Sequence, residues 1–179
     1  MKPLSMAMRA EIGHGVDLTL EDDPSGLLAE MAKRKVLVEI LFNSNAETLG
    51  VTGAQHPFMT YRYADVPVAL GTDDEGVSRS NMTAQFQHAA SDYHLRYPDL
   101  KQLARQSLEY AFLPGKGLWA RLSTGQPVTA CAGDRLGGDS ISQSCSTYLE
   151  ANERAREQWR LESAYIGFES GYLRHTQRT

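Results

Sequence analysis

Residues 66–79 read VPVALGTDDEGVSR, an apolar run from Val66 to Leu70 that halts at Gly71-Thr72 and delivers two adjacent aspartates, Asp73 and Asp74. The run has the length of a buried strand, and Pro67 belongs at its first position or where no ladder bond is needed. Side-by-side carboxylates repel, so the pair needs a cation or hydrogen-bond donors close by. Two uses meet that need: a helix N-cap followed by a first-turn acid, or a site at the end of a strand. From the pair alone the cap is the better reading, so its surroundings have to decide.

Upstream, the residues Glu11-Ile12-Gly13-His14-Gly15 read as a short strand ending in a glycine-flanked histidine. Asp23-Pro24 is a helix start, an N-cap followed by Pro at the first helical position, and the helix runs through Leu27, Leu28 and Met31 to about Arg34. VLVEILF (Val36 to Phe42) follows as a near-continuous apolar strand of the kind buried on both faces of a parallel sheet. Asn43-Ser44-Asn45 breaks it, and a loop or short helix leads to Gln55-His56-Pro57-Phe58. After the double aspartate, Phe86, Ala89, Ala90 and Tyr93 share a helical face, and Pro98 opens a second helix that Leu113-Pro114-Gly115 stops. The alternation of strand and helix predicts a parallel α/β sheet or part of a (β/α)8 barrel, folds in which function sits at the carboxyl ends of the strands. His14, Asn43, Asn45, Asp73 and Asp74 all fall at such ends. Only three strands are convincing, too few to close an eight-stranded barrel.

Composition sets the outer limits. The chain has 179 residues, 41% hydrophobic and 22% charged, with a net charge of −4, enough for one domain with a real core. That mild acidity predicts no nucleic-acid partner, and no apolar run reaches the roughly 18 residues of a membrane span. The opening MKPLSMAMRAEIGHG lacks the apolar stretch of a secretory signal, which makes the cytosol the expectation for the chain as it stands. Cys131 and Cys145 flank a Gly/Ser-rich stretch, either as two thiols or as a short disulfide, and neither has zinc-ligand spacing to His or Cys. Residues 116–146 are expected to be irregular, and 147–179 to form an amphipathic helix and tail with Leu161, Tyr165, Phe168 and Tyr172 packed on one side.

EIGHGVDLTLEDDP, VEILFNSNAETLG, HPF and VPVALGTDDEG together resemble the carboxyl-terminal half of the adenosine/AMP deaminase family, and within it the longer, often exported branch of adenosine deaminase-related growth factors. The resemblance covers roughly residues 9–115, so 1–115 would be a partial deaminase-type barrel with a carboxyl-terminal helical extension. It implies hydrolysis of the 6-amino group of a purine nucleoside with one zinc ion. By motif, Asp73 resembles the carboxylate that ligates zinc, Asp74 the one that recognises the purine ring, and His14 the histidine that orients and deprotonates the attacking water. Glu39 would help orient this group, and Asn45 would organise the following loop. An exported parent would favour a Cys131–Cys145 disulfide.

The family also supplies a His-x-His pair, a third zinc-binding histidine and a glutamate that protonates the purine. None of these motifs is in the sequence, and His56, His88, His94 and His175 sit in none of them. The resemblance therefore implies that the missing amino-terminal half of the barrel is a partner, and that this chain alone is inactive. A non-catalytic derivative of the family is the alternative, and another metal-dependent hydrolase of the same superfamily a remoter one.

Overall fold

A computed structural model describes residues 10–176, so the opening stretch 1–9, read above for a signal, lies outside the described residues. The chain divides into two compact units, Met1–Ser107 and Leu108–Thr179.

The first unit is built on three parallel strands, β1 (Glu11–Gly13), β2 (Leu37–Ile40) and β3 (Val68–Leu70), in the order β1-β2-β3. Helices α1 (Pro24–Arg34), α2 (Phe42–Leu49), α3 (Phe58–Tyr63), α4 (Glu75–Ser78), α5 (Met82–Ser91) and α6 (Tyr97–Tyr110) follow in sequence, the last running across the boundary between the units. Thus the α/β expectation with a parallel sheet holds. Helix α1 starts where Asp23-Pro24 predicts: the Asp23 carboxylate accepts the Gly26 N–H at 2.9 Å, and Lys35 ends the helix in the left-handed region. Pro67 precedes β3, its carbonyl accepting the Val38 N–H at 2.9 Å, which is how a proline sits beside a buried strand.

Side chains alternate across the strands. Val38, Ile40, Val68 and Leu70 join Phe58 and Leu103 in one core, the face that the helices cover. The other face carries Leu37, Glu39 and Ala69, with Glu11 and Gly13 beside them in register. A carboxylate on that second face is what places polar chemistry at the carboxyl edge of the sheet.

One expectation needs correction here. The strand expected over Val36–Phe42 is shorter, because Phe42 already begins α2 and Asn43-Ser44-Asn45 lies inside that helix. No side chain at Leu41 caps the helix; instead the buried Gln85 of α5 accepts the Phe42 N–H at 2.9 Å and donates to Asn43 and Ser80. Helix α1 runs through Leu27, Leu28 and Met31 as expected, with Met31 buried and Leu27 37% exposed.

In the second unit, residues 116–146 are more ordered than their composition suggests. A two-stranded antiparallel ribbon, β4 (Trp119–Arg121) with β5 (Gln126–Pro127), precedes a Cys131–Cys145 disulfide, which settles the cysteine alternatives. The expected single helix is two, α7 (Gln143–Ala151) and α8 (Glu153–Thr176), separated at Asn152. Trp119 and Trp159 anchor the core of this unit. Along α8, however, Phe168 and Tyr172 keep 60% and 63% of their surface exposed, and the helix buries Ala155, Gln158, Trp159 and Glu162 instead.

Candidate functional site

The segments that follow the carboxyl ends of β1, β2 and β3 converge, the one after β2 being the first turn of α2. The parallel register sets Gly13 beside Glu39 and Glu39 beside Ala69, so the residues that follow each strand emerge as neighbours. His14 leaves β1 with φ 63° and Gly15 continues at φ 59°, two successive left-handed residues that turn the imidazole back over the sheet. Only glycine fits at position 15. A Cβ there would stand 2.6 Å from Val38 Cγ1, and the Gly15 carbonyl accepts the Tyr61 hydroxyl at 2.7 Å. Burial, then the Glu21 and Asp17 carboxylates, push that phenol up to about 12, so Tyr61 stays a donor.

Asp73 also takes a left-handed conformation, φ 56°, and accepts the Ser44 hydroxyl at 2.6 Å. His14 Nε2 lies 3.9 Å from the same carboxylate oxygen, with both side chains about four-tenths exposed (41% and 38%). Backbone in sparsely populated regions at both residues is a feature that functional sites share. Asp74 occupies the N-cap position of α4 with no side-chain capping bond, and its carboxylate faces solvent. The helix-cap reading of the double aspartate therefore fails for its side chains: Asp73 is tied to Ser44, and Asp74 is left for something else. Arg79 ends α4 and is exposed.

Glu39 lies below this pair. Burial, then the Glu11 and Asp73 carboxylates, raise its pKa, with His14 opposing. Gly71 leaves its carboxylate room, since a Cβ there would collide with Glu39 Oε1 and meet Leu41 Cδ2 at 2.8 Å.

Behind His14 stands a buried polar column. Asn45, fully buried on α2, has Oδ1 2.7 Å from His14 Nδ1 and Nδ2 2.7 Å from His56 Nε2. The Phe58 N–H donates to His56 Nδ1 at 3.2 Å. Asn45 holds the segment that follows α2, its backbone carbonyl accepting the Val51 N–H at 3.1 Å, and its carboxamide also bridges two histidines 31 and 11 residues away. His56 and Ser44 are the site residues that motif reading passed over. The one local hint was His56 beside Pro57, at the start of α3. A separate cleft runs along the His14 loop, lined by Ile12, Asp17, Leu27 and Tyr61, and touches neither aspartate.

His56 carries a stability consequence. Burial pushes its pKa down from 6.5 to about 4, so the folded chain keeps the ring neutral where the unfolded chain protonates it. Between those values the unfolded state binds more protons, and stability falls as pH drops. The loss is absent above about pH 6.5 and complete below about pH 4. Discounted for partial solvent screening it amounts to about 2 kcal/mol. Denaturant titrations at pH 7 and pH 4.5 should give a smaller acid loss in His56→Gln than in the native sequence; equal losses would show that the ring is not held neutral.

A cation between His14 and Asp73 would meet one imidazole and one carboxylate. Zinc centres take three or four protein ligands. Among the described residues no group of three His, Cys, Asp or Glu side chains is arranged to hold a metal, so these residues do not make a complete zinc centre.

Residues 4–124 match the adenosine deaminase family, more than half of the chain. An adenosine deaminase of Enterococcus faecalis is 39% identical over 103 residues, which cover 57% of this chain and 30% of that protein. Among solved structures, the ADAL–IMP complex is 25% identical with a TM-score of 0.51, covering 58% of this chain and 29% of that one. The apo N6-methyl-AMP deaminase from Arabidopsis thaliana is similar to the same degree, 25% identical with a TM-score of 0.51, over 58% of this chain and 30% of that one. The chain thus spans less than a third of the length of these relatives.

Proposed function

This chain belongs to the adenosine deaminase family, and we propose that it forms the carboxyl-terminal part of a (β/α)8-barrel deaminase that hydrolyses the 6-amino group of an adenosine-type purine nucleoside, releasing ammonia and leaving an inosine-type product. The observation that carries this reading is the meeting of His14 and Asp73, delivered by the ends of β1 and β3 on either side of β2, within the span that matches the family. In this reading Asp73 is a metal-ligating carboxylate, His14 positions the attacking water, and Asp74 recognises the purine ring. Asp74 suits that task because its carboxylate makes no capping bond and faces outward. Glu39 supplies a further carboxyl group from β2, its pKa raised by burial and then by the Glu11 and Asp73 carboxylates.

The family is zinc-dependent, and the remaining ligands and the proton donor to the purine come, in this reading, from the rest of the barrel as partner. The absence of a third metal-binding side chain among the described residues favours one second reading, a non-catalytic derivative that keeps the scaffold without turnover. Both readings expect negligible conversion of adenosine to inosine by the purified chain with zinc added. Turnover at ordinary enzyme rates, followed by ammonia release, would refute the division of the site. Restored activity on adding the amino-terminal part of a family barrel would favour the first reading, and its absence the second.

A further inference from the structure

The proton of His14 is governed by groups the proposed reaction does not touch. Three of them stand in line and end on His14: the Phe58 N–H, His56 and Asn45, joined to one another and to His14 by contacts of 3.2, 2.7 and 2.7 Å. A backbone N–H can only donate, and this one is buried, Phe58 and His56 being 0% and 4% exposed. Its acceptor is Nδ1 of His56. A neutral imidazole that accepts at one nitrogen carries its proton on the other, so His56 is an N–H donor at Nε2.

That donor needs an acceptor in Asn45. With Nδ2 turned to His56, both nitrogens of His56 would have to accept, which a neutral ring cannot do. Turning the carboxamide by half a revolution exchanges two atoms of equal size and leaves every contact in place. The carbonyl then accepts from His56 Nε2–H, and the amino group donates to His14 Nδ1. Only this sense gives each contact one donor and one acceptor, and buried polar groups are satisfied wherever the geometry permits.

We infer that His56, acting through Asn45, fixes neutral His14 in the tautomer with its proton on Nε2, so that His14 turns an N–H toward Asp73. His56 and Asn45 are positioning residues in this arrangement. The family resemblance gives His14 two tasks, to orient a water and to take its proton. An Nε2–H imidazole does the first, donating to an oxygen held between itself and Asp73, and cannot do the second without Asn45 turning over. The catalytic meaning rests on the proposed deaminase function, while the tautomer is a property of this chain.

Long-range proton–nitrogen correlation spectra of the full chain, labelled with 15N-histidine and recorded at mildly alkaline pH, distinguish the protonated ring nitrogen from the bare one. His14 and His56 should both report protonated Nε2. In Asn45→Asp both ends of the bridge accept, so His56 should keep its Nε2–H while the proton of His14 moves to Nδ1. A native His14 protonated at Nδ1, or one that stays protonated at Nε2 in Asn45→Asp, overturns the inference. If Asn45→Asp does not fold, the native spectrum decides alone. Because the spectra need no turnover, Nε2–H His14 in a chain that gains no activity on adding the amino-terminal part of a family barrel counts against deamination and leaves the tautomer standing, while Nδ1–H His14 in a chain whose activity is restored does the reverse.

Discussion

Truncating Phe58 to Ala is expected to lower the unfolding free energy by about 3–5 kcal/mol, the range for emptying a buried aromatic site. Its ring is 0% exposed, edge-on to Phe42 at 5.3 Å and to Tyr93 at 5.0 Å, while Phe42 and Tyr93 stack on each other at 5.2 Å. These three rings come from α2, α3 and the segment after α5, and they pack where the helices meet β2 and β3. Neighbours held by three separate elements cannot all close on the gap, which puts the loss at the upper end of the range. A domain of this size holds about 5–15 kcal/mol in total, so much of its margin would go. Denaturant unfolding should show a lower midpoint with an unchanged slope. A loss under about 1 kcal/mol would mean that the cluster repacks freely. The substitution spares the Phe58 N–H, so it separates packing from the hydrogen bond to His56.

What the sequence reveals, and what it hides, divides by distance along the chain. The start of α1 is legible because Asp23, Pro24 and the Gly26 N–H act within four residues. β2 and β3 are legible as apolar, β-branched runs, and their parallel pairing follows from the helices between them. The end of β2 is not, because the acceptor that lets Phe42 begin a helix is Gln85, 43 residues away. The break between α7 and α8 has the same character: Asn152 is held by accepting the Lys116 N–H at 2.7 Å from 36 residues earlier. At the site, the motifs announce His14 and Asp73 as strand-end residues. They say nothing of the column behind them, since Asn45 reads as one polar residue among Asn43-Ser44-Asn45. Its importance lies in a carboxamide shared by two imidazoles from other segments, which no local pattern encodes.

Replacing Asp73 with Asn is expected to lower kcat/KM for adenosine deamination by about three orders of magnitude in the assembled enzyme, the scale of removing a charge that acts at the reacting centre. Asn is the informative substitution. It keeps the size of the side chain and is at ease at φ 56°, where Ala would add backbone strain of about 1–2 kcal/mol and confuse stability with function. It also still offers the Ser44 hydroxyl an acceptor, so the local fold survives while the negative charge facing His14 is lost. Asp74→Asn provides the contrast. Its carboxylate makes no capping bond and touches none of this network, so its loss should raise KM by about 10- to 100-fold, the equivalent of one charge-assisted hydrogen bond, and change kcat little. Ser44→Ala lies between them: it frees Asp73 to rotate, for a loss of about tenfold. The order matters more than any single value. If the two aspartate variants lose activity equally, or Asp73→Asn stays within tenfold of the native enzyme, the division of labour between them is wrong. The meeting of His14 and Asp73 would then be inherited scaffold without a part in the reaction.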